Sequence, residues 1–563
     1  MNVILLTLTL FTSLFFTSAS AVAQEPAPDA QPVAEPAQEP APEATVDLFG
    51  GETGGFLEEA VEEVVEEVAD YGPGPAAFEI SSEEAYKRSL LYTSGSRYLL
   101  QRTLEVLLEN EIERRRAAGL YIGDVDLSKE DIDAEVQKRV DTVMAQDPSA
   151  DFWAQVRAQG FTEETYRAEL RRNVQAQRMF FPLDPEDWPV EQLKEILGRN
   201  WPDYLEGDHA KLLEKKKNGE FQPLNDQILN QFLMPNVWNY LMTNETVLYP
   251  SDGLEEGVAM RIGDKNLMTD ELLAVVDPII SETDRQLAQQ FVDNMNLLRA
   301  SLTASGKWMN YDSFRRAFAE EEAMYEGTII PHSMMVMDFL GFPSMEIYRQ
   351  YFLAKKSFAA TLPEKTLEDG SENPDFRALA EQQMESRGEF YKGSKVKVDV
   401  ILLSARDKRT GQFPLKGDPF GSAEERADEV RDVLMSGEDF LETLVEYSDY
   451  PETVQNSNAN MPQPNRGRLP MQTRNDMRGF LGESDFSDFL YGYSLADDIF
   501  FYSEEGAIYG PVKSPLGYSF YRLDSRSPAG KILQYGEDER DTFIVEDDLV
   551  TTQFLAFLAS LRS

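Results

Sequence analysis

The sequence predicts a mainly α-helical protein with one small α+β domain near its C-terminus, and three observations carry that prediction. From about residue 78 to 390, apolar residues recur at three- and four-residue spacing, as the buried face of a helix requires. At Val396, Val398, Val400 and Leu402 the period drops to two, the mark of a strand, and short helical and strand-like runs then continue to about residue 527. A final helical stripe closes the chain. Among its 563 residues, 53 Lys and Arg face 100 Asp and Glu, a formal net charge of −47 that argues against nucleic-acid or anionic-membrane partners. Acidic and basic residues interleave along the helical stretches, so most of this excess is a solvated surface.

The first residues read as an export signal. Val3 to Phe16 is apolar apart from Thr and Ser, and Ala21-Val-Ala23 is a small-residue cleavage pattern, which gives a signal peptide over 1–23. An uncleaved anchor is the alternative, but the run is short for a span and lacks charged flanks, so no stable membrane span is expected after cleavage. The chain has no Cys, which excludes a lipid-modified cysteine, disulfides and thiolate metal sites. Residues 24–77 form an acidic tether rich in Pro, Ala and Glu, too poor in apolar surface to offset chain entropy. Near its end, Leu57, Ala60, Val61, Val64, Val65 and Val68 share one face of a short amphipathic helix suited to a conditional partner contact.

Two helical modules of similar layout follow, at 78–250 and 251–390. In the first, Leu100, Leu104, Leu107, Leu108 and Ile112 make a stripe that ends near Ala118-Gly119. Ser128 then caps a helix bearing Ile132, Val136 and Val140, and Gly160-Phe161 precedes a helix with Tyr166, Leu170 and Val174 that stops at Pro182. In the second, a helix over Leu287 to Ala304 ends at Ser305-Gly306, and Gly341-Phe342 precedes Tyr348 and Phe352 with a stop at Pro363. Such internal similarity implies two structural units of one type. The stretch 183–250 adds Trp188, Trp201 and Trp238, which are expected in the core.

Over 391–527 the pattern is strand, two helices, then a strand pair. Ser422-Ala-Glu-Glu425 reads as a capping box for a helix bearing Ala427, Val430 and Leu434, with Gly437 as its stop. Phe440, Leu444 and Tyr447 supply a second short apolar face, followed by Tyr447-Ser448-Asp449, Asn465-Arg-Gly-Arg-Leu469, Glu504-Glu505-Gly506 and Gly510-Pro-Val512. At 528–563, Asp547 and Asp548 are expected to open a helix whose Val550, Phe554, Phe557, Leu558 and Leu561 line one face, with Arg562 at its end as the helix dipole favours. Nothing beside that face in sequence can cover it.

Taken in order, these pieces make the 391–527 region resemble a parvulin-type peptidyl-prolyl isomerase domain. The helical arrangement before it resembles the chaperone module of SurA- and PrsA-like proteins. The segment Val258 to Leu272 looks like that module's entry, and the last helix looks like the element that returns to complete it. The resemblance implies a parvulin fold without its usual chemistry. The family's first-strand His falls on Val400, its Cys or Asp after Ser-Asp on Tyr450, and its last-strand His on Ser519, while Ser514 keeps a hydroxyl near the pocket. The proline-slot aromatic falls on Ala496, with Phe489 or Tyr493 reachable by a small shift. Only two histidines exist, His209 and His332, both upstream of this region.

Prolyl isomerisation must cross an amide barrier of roughly 18–20 kcal/mol, and these replacements leave little to lower it. The expectation is therefore an exported or periplasmic chaperone that holds unfolded or extended polypeptides without ATP, its parvulin-like domain a scaffold with Val400, Tyr450, Ser514 and Ser519 as vestigial positions. Residual isomerase activity from Tyr450, Ser514 and Ser519 aided by desolvation is one alternative. A structural envelope protein is another. No cofactor or metal is expected, because no phosphate-cradling Gly-rich loop, His-based metal spacing or nucleophile elbow is present.

Overall fold

The computed structural model describes residues 81–562 apart from 124, 147–150, 159–160, 199–208, 222–223, 225–228, 326–331, 368, 389–390, 392–393, 408–410, 412, 451–466 and 529–532. The signal segment, the tether, its amphipathic helix and Trp201 lie outside the described residues.

Helices α1 (Ser82–Ser94) and α2 (Ser96–Ala118) meet at Gly95, and α2 stops at Gly119 with Arg115 and Arg116 in its last turn, where the helix dipole favours cations. Helix α3 (Lys129–Gln146) opens on a reciprocal box in which the Asp131 amide donates to Ser128 Oγ and the Ser128 amide to the Asp131 carboxylate. With α4 (Phe152–Ala158) and α5 (Glu163–Phe180) it encloses a small core of Leu127, Ile132, Val136, Phe152, Val156, Phe161 and Leu170. Helices α6 (Val190–Leu197), α7 (His209–Lys217) and α8 (Met234–Thr243) follow.

A three-stranded antiparallel sheet then runs β1 (Val247–Leu248), β2 (Val258–Ile262) and β3 (Lys265–Met268) in that order. Over Val258 to Leu272 the chain forms the β2–β3 hairpin and then enters α9 (Thr269–Val276), which begins behind Met268 with no side-chain cap. Helices α10 (Glu282–Ala304), α11 (Tyr311–Ala323), α12 (Met345–Ala359) and α13 (Pro374–Arg387) complete the helical region, each opened by a capping side chain: Ser281, Asn310, Ser344 and Asn373.

The two halves of the helical region share one apolar core. Leu91 and Leu104 from the first half lie in the same cluster as Phe291, Leu298 and Phe352 from the second. Trp188 and Trp238 are buried in it too, Trp188 donating from Nε1 to the Pro182 carbonyl at 2.8 Å. Counting from the N-caps Thr162 and Ser344, Tyr166-Arg167 matches Tyr348-Arg349 and Leu170 matches Phe352, and Phe161 and Phe342 are buried just before the caps.

The α+β part comprises β4 (Lys395–Ser404), α14 (Pro419–Met435), α15 (Phe440–Tyr447), β5 (Arg468–Gln472), α16 (Arg474–Leu481), α17 (Asp485–Tyr491), β6 (Ile508–Ser514) and β7 (Gly517–Ser527). Its four strands are antiparallel in the order β5-β4-β7-β6. Central β4 is apolar on both faces: Val396, Val398 and Val400 pack with Met477 and Leu495, while Ile401 and Leu403 pack with Val430 and Phe440. The protein is mainly helical, with this one small α+β domain, as the sequence predicts.

Two helix starts differ from expectation. Helix α14 begins at Pro419, not Ser422, because Asp418 accepts the Gly421 amide at 2.8 Å and Pro419 suits the first helical position. The last helix, α18 (Glu539–Arg562), begins two turns before Asp547 because Asp538 caps it, accepting the Asp541 amide at 3.0 Å. Its buried face consequently includes Val545 and Leu549, which pack on Phe376 and Ala380 of α13, whereas Val550 is only half-buried. Phe554 and Leu558 enter the main core, and α18 lies against α10, α12 and α13.

Candidate functional site

The face of β4 and β7 that carries Val400 and Ser519 is positioned by ladder register. Val400 stands opposite Tyr521, and Leu402 opposite Ser519, so these four side chains share one face of the sheet. Ser519 also stands opposite Val512, and Ser514 opposite Gly517, which extends the same face across β6. Tyr450 reaches it from the turn after α15. That turn is stapled to β4: the Asp449 amide donates to the Leu402 carbonyl at 2.7 Å, the Leu402 amide to Ser448 Oγ at 3.2 Å, and the Ser404 amide to the Asp449 carboxylate at 2.8 Å. Gly467 closes the other side, where its φ of 97° and its contact with the Val400 carbonyl leave no room for a Cβ.

Val400, Tyr450, Ser519, Ser514 and Ala496 are therefore gathered on one face, and that face is filled. Val400 and Ala496 are completely buried and pack with Tyr450, Leu469, Tyr521 and Ile499. The Tyr450 hydroxyl donates to the Phe480 carbonyl at 2.8 Å, and burial, reinforced by the Glu483 carboxylate, pushes its ionisation well above the usual phenol range. Ser514 Oγ donates to the Gly517 carbonyl at 3.3 Å, while Ser519 Oγ is buried with no hydrogen-bond partner among the described residues. On this face Val400 carries no polar group, the Tyr450 hydroxyl is engaged with a backbone carbonyl, and both serine hydroxyls are buried.

The other proposed slot residues stand elsewhere. Phe489 does not line this face. It is completely buried in the main helical core, its ring centroid 5.6 Å from Phe291, 5.3 Å from Tyr351 and 6.0 Å from Phe554. The reason is the direction of α17, which projects its apolar side away from its own sheet and into the groove of α10, α12 and α18. Tyr493 is half-buried, with its hydroxyl donating to the Lys513 carbonyl. The two histidines are in the helical region, where His209 Nε2 lies 2.7 Å from the Pro185 carbonyl and His332 Nε2 lies 3.0 Å from Glu321. No cluster of His, Cys, Asp or Glu among the described residues could hold a metal ion.

A buried ion network, not foreseen from sequence, ties the α+β part to the helices. Arg387 at the end of α13 bonds Asp497 at 2.7 Å and Asp548 of α18 at 2.9 Å, and its guanidinium lies 4.0 Å from the Phe501 ring centroid. Burial opposes ionisation of Asp497, but Arg474 and Arg387 together hold its carboxyl below the ordinary range. No local signal marks these partners, because they are separated by more than a hundred positions in the chain.

No family model matches the chain, and no curated protein matches it. Among solved structures it is similar to the peptidyl-prolyl isomerase PrsA from Bacillus cereus at 17% identity, covering 50% of this chain and 87% of that one, with a TM-score of 0.17. It is similar to PrsA from Bacillus subtilis at 15% identity, covering 52% and 88%, with a TM-score of 0.14. A third, PrsA from Bacillus anthracis, has 13% identity, coverage of 47% and 93%, and a TM-score of 0.18. Residue roles in this protein rest on the geometry of this chain alone.

Proposed function

We propose that the protein is an exported, ATP-independent chaperone that holds unfolded polypeptides, and that its parvulin-like domain is kept as architecture rather than as an isomerase. On this reading 1–23 is a signal peptide, 24–77 a tether, 78–250 and 251–390 the helical client-binding region, 391–527 the parvulin-like domain, and 528–563 the segment that joins it back to the helices. The observation that carries the reading is the packing of Val400, Tyr450 and Ala496 into one closed apolar core, with the Tyr450 hydroxyl committed to a backbone carbonyl. Prolyl isomerisation needs an open slot and polar groups beside the amide, and neither fits that arrangement. The high negative charge fits a soluble partner of aggregation-prone chains. Among the described residues no helix is long and apolar enough to cross a membrane.

The test is the aggregation of a chemically unfolded envelope protein diluted into buffer without nucleotide. The full chain at equimolar ratio should suppress light scattering. Scattering identical to that with an inert protein of equal concentration would remove the chaperone reading and leave a structural one.

A further inference from the structure

We propose that the apolar socket formed by α10, α12 and α18 is a binding site for polypeptide segments carrying aromatic anchors, and that α17 is its resident, intramolecular occupant. The inference rests on the chaperone reading and gives its client a place. Helix α17 presents Phe486, Phe489 and Leu490 at i, i+3 and i+4, the spacing by which a short helix fills a groove. Phe489 and Leu490 belong to the helical core rather than to the core of their own domain. Phe489 sits among Phe291, Tyr351 and Phe554, a pocket of three rings for one ring.

The polar contacts read main chain and not sequence. Gln290 Nε2 donates to the Leu490 carbonyl at 2.6 Å, and Asn294 Nδ2 donates to the Phe489 carbonyl at 3.1 Å. The Arg562 guanidinium donates to the carbonyls of Phe489, Leu490 and Tyr491, and is itself held by Asn294 Oδ1 at 2.7 Å. These are the carbonyls that a helix end leaves open, and any peptide in one helical turn offers the same set. A socket that combines ring pockets with donors aimed at backbone carbonyls accepts many sequences that share an aromatic–aliphatic pair. The resident is suited to leaving. A helix as short as α17 is marginal by itself, and it is bounded by Gly482 and Gly492, whose φ values of 68° and 80° make both ends turns.

The probe is a fluorescein-labelled synthetic peptide of residues 483–493, titrated into the full chain and followed by anisotropy. Phe489→Ala weakens the resident. Gly482→Val strains its other end, because valine disfavours that positive φ of 68° and its Cβ would meet the Leu516 side chain at 2.8 Å, outside the socket. Neither substitution falls on a residue of α10, α12 or α18, and neither touches Arg562. Both variants should bind the peptide at least about tenfold more tightly than the wild type. Adding Arg562→Ala to either should weaken that binding, and a peptide with Ala at the positions of Phe489 and Leu490 should not bind. Equal affinity in wild type and variants, or no binding by folded variants, overturns the inference. If Phe489→Ala does not fold, Gly482→Val decides. Aggregation suppression by the wild type is read in parallel. Suppression without peptide capture by the variants sinks the socket alone, whereas capture without suppression sinks the chaperone reading alone.

Discussion

Phe554→Ala should destabilise the protein more than any other single change in the last helix. The side chain is completely buried where three elements meet, its ring 5.7 Å from Tyr351 on α12, 5.6 Å from Phe358 on α12 and 6.0 Å from Phe489 on α17. Truncating a core phenylalanine costs about 3–5 kcal/mol, from lost transfer energy and the cavity left behind. Three ring neighbours that cannot all collapse into the gap place this site near the middle, at about 4 kcal/mol. At about 2–4 °C per kcal/mol for a domain of this size class, the melting temperature should fall by about 8–16 °C in a calorimetric scan. Phe543→Ala on the same helix is the control, since Phe543 is 62% exposed and should change stability by no more than about 0.5 kcal/mol. A Phe554→Ala melting temperature within about 2 °C of the control would refute the view that the C-terminal helix cements the helical region to the α+β domain.

Arg387→Ala should cost about 3 kcal/mol in urea unfolding, the low end for breaking a buried pair, because it takes the guanidinium from Asp548 while Asp497 keeps Arg474, and adding Asp548→Asn should recover part of that loss. Ser519→Ala should be neutral or stabilising by up to about 1 kcal/mol, since it deletes a buried hydroxyl that makes no hydrogen bond; a loss above about 1 kcal/mol would show an unseen partner. Burial pushes the Asp488 carboxyl well above its ordinary range, with Glu483, Asp485 and Asp497 adding to the effect against the pull of Arg478. A raised carboxyl disfavours the ionised folded state, so the wild type should lose stability as pH rises from the ordinary Asp value through the raised one. Asp488→Asn should therefore stabilise more at pH 7.5 than at pH 4, and the opposite trend in melts would contradict the assignment.

Much of this architecture was legible in the sequence because it is encoded locally. The period-two run at Val396 to Leu402 located the central strand, and Ser128 and Gly119 marked helix ends whose capping atoms the structure confirms. Ladder register puts Val400, Ser514 and Ser519 on one face of the sheet, and Tyr450 and Ala496 reach the same core from a turn and a short helix. What was not legible depends on tertiary choice. Phe489 lies in a short apolar run that suits either core, and only the direction of α17 sends it to the helical one. Asp547 and Asp548 stand before the apolar stripe and so read as helix openers, but the helix starts behind Asp538, and Asp548 is engaged in the ion pair with Arg387, a partner remote in the chain. The same remoteness hid the Arg562–Asn294 clamp.

The most direct test of the central claim is the rate at which the full chain accelerates cis–trans conversion of a proline test peptide, measured in a protease-coupled assay. The uncatalysed reaction takes tens of seconds or longer, so a trace of catalysis is readily seen. The rate should be indistinguishable from the uncatalysed one and unchanged by Tyr450→Phe or Ser519→Ala. Acceleration proportional to protein concentration and abolished by either substitution would contradict it, and would make the buried face of β4 and β7 an active site.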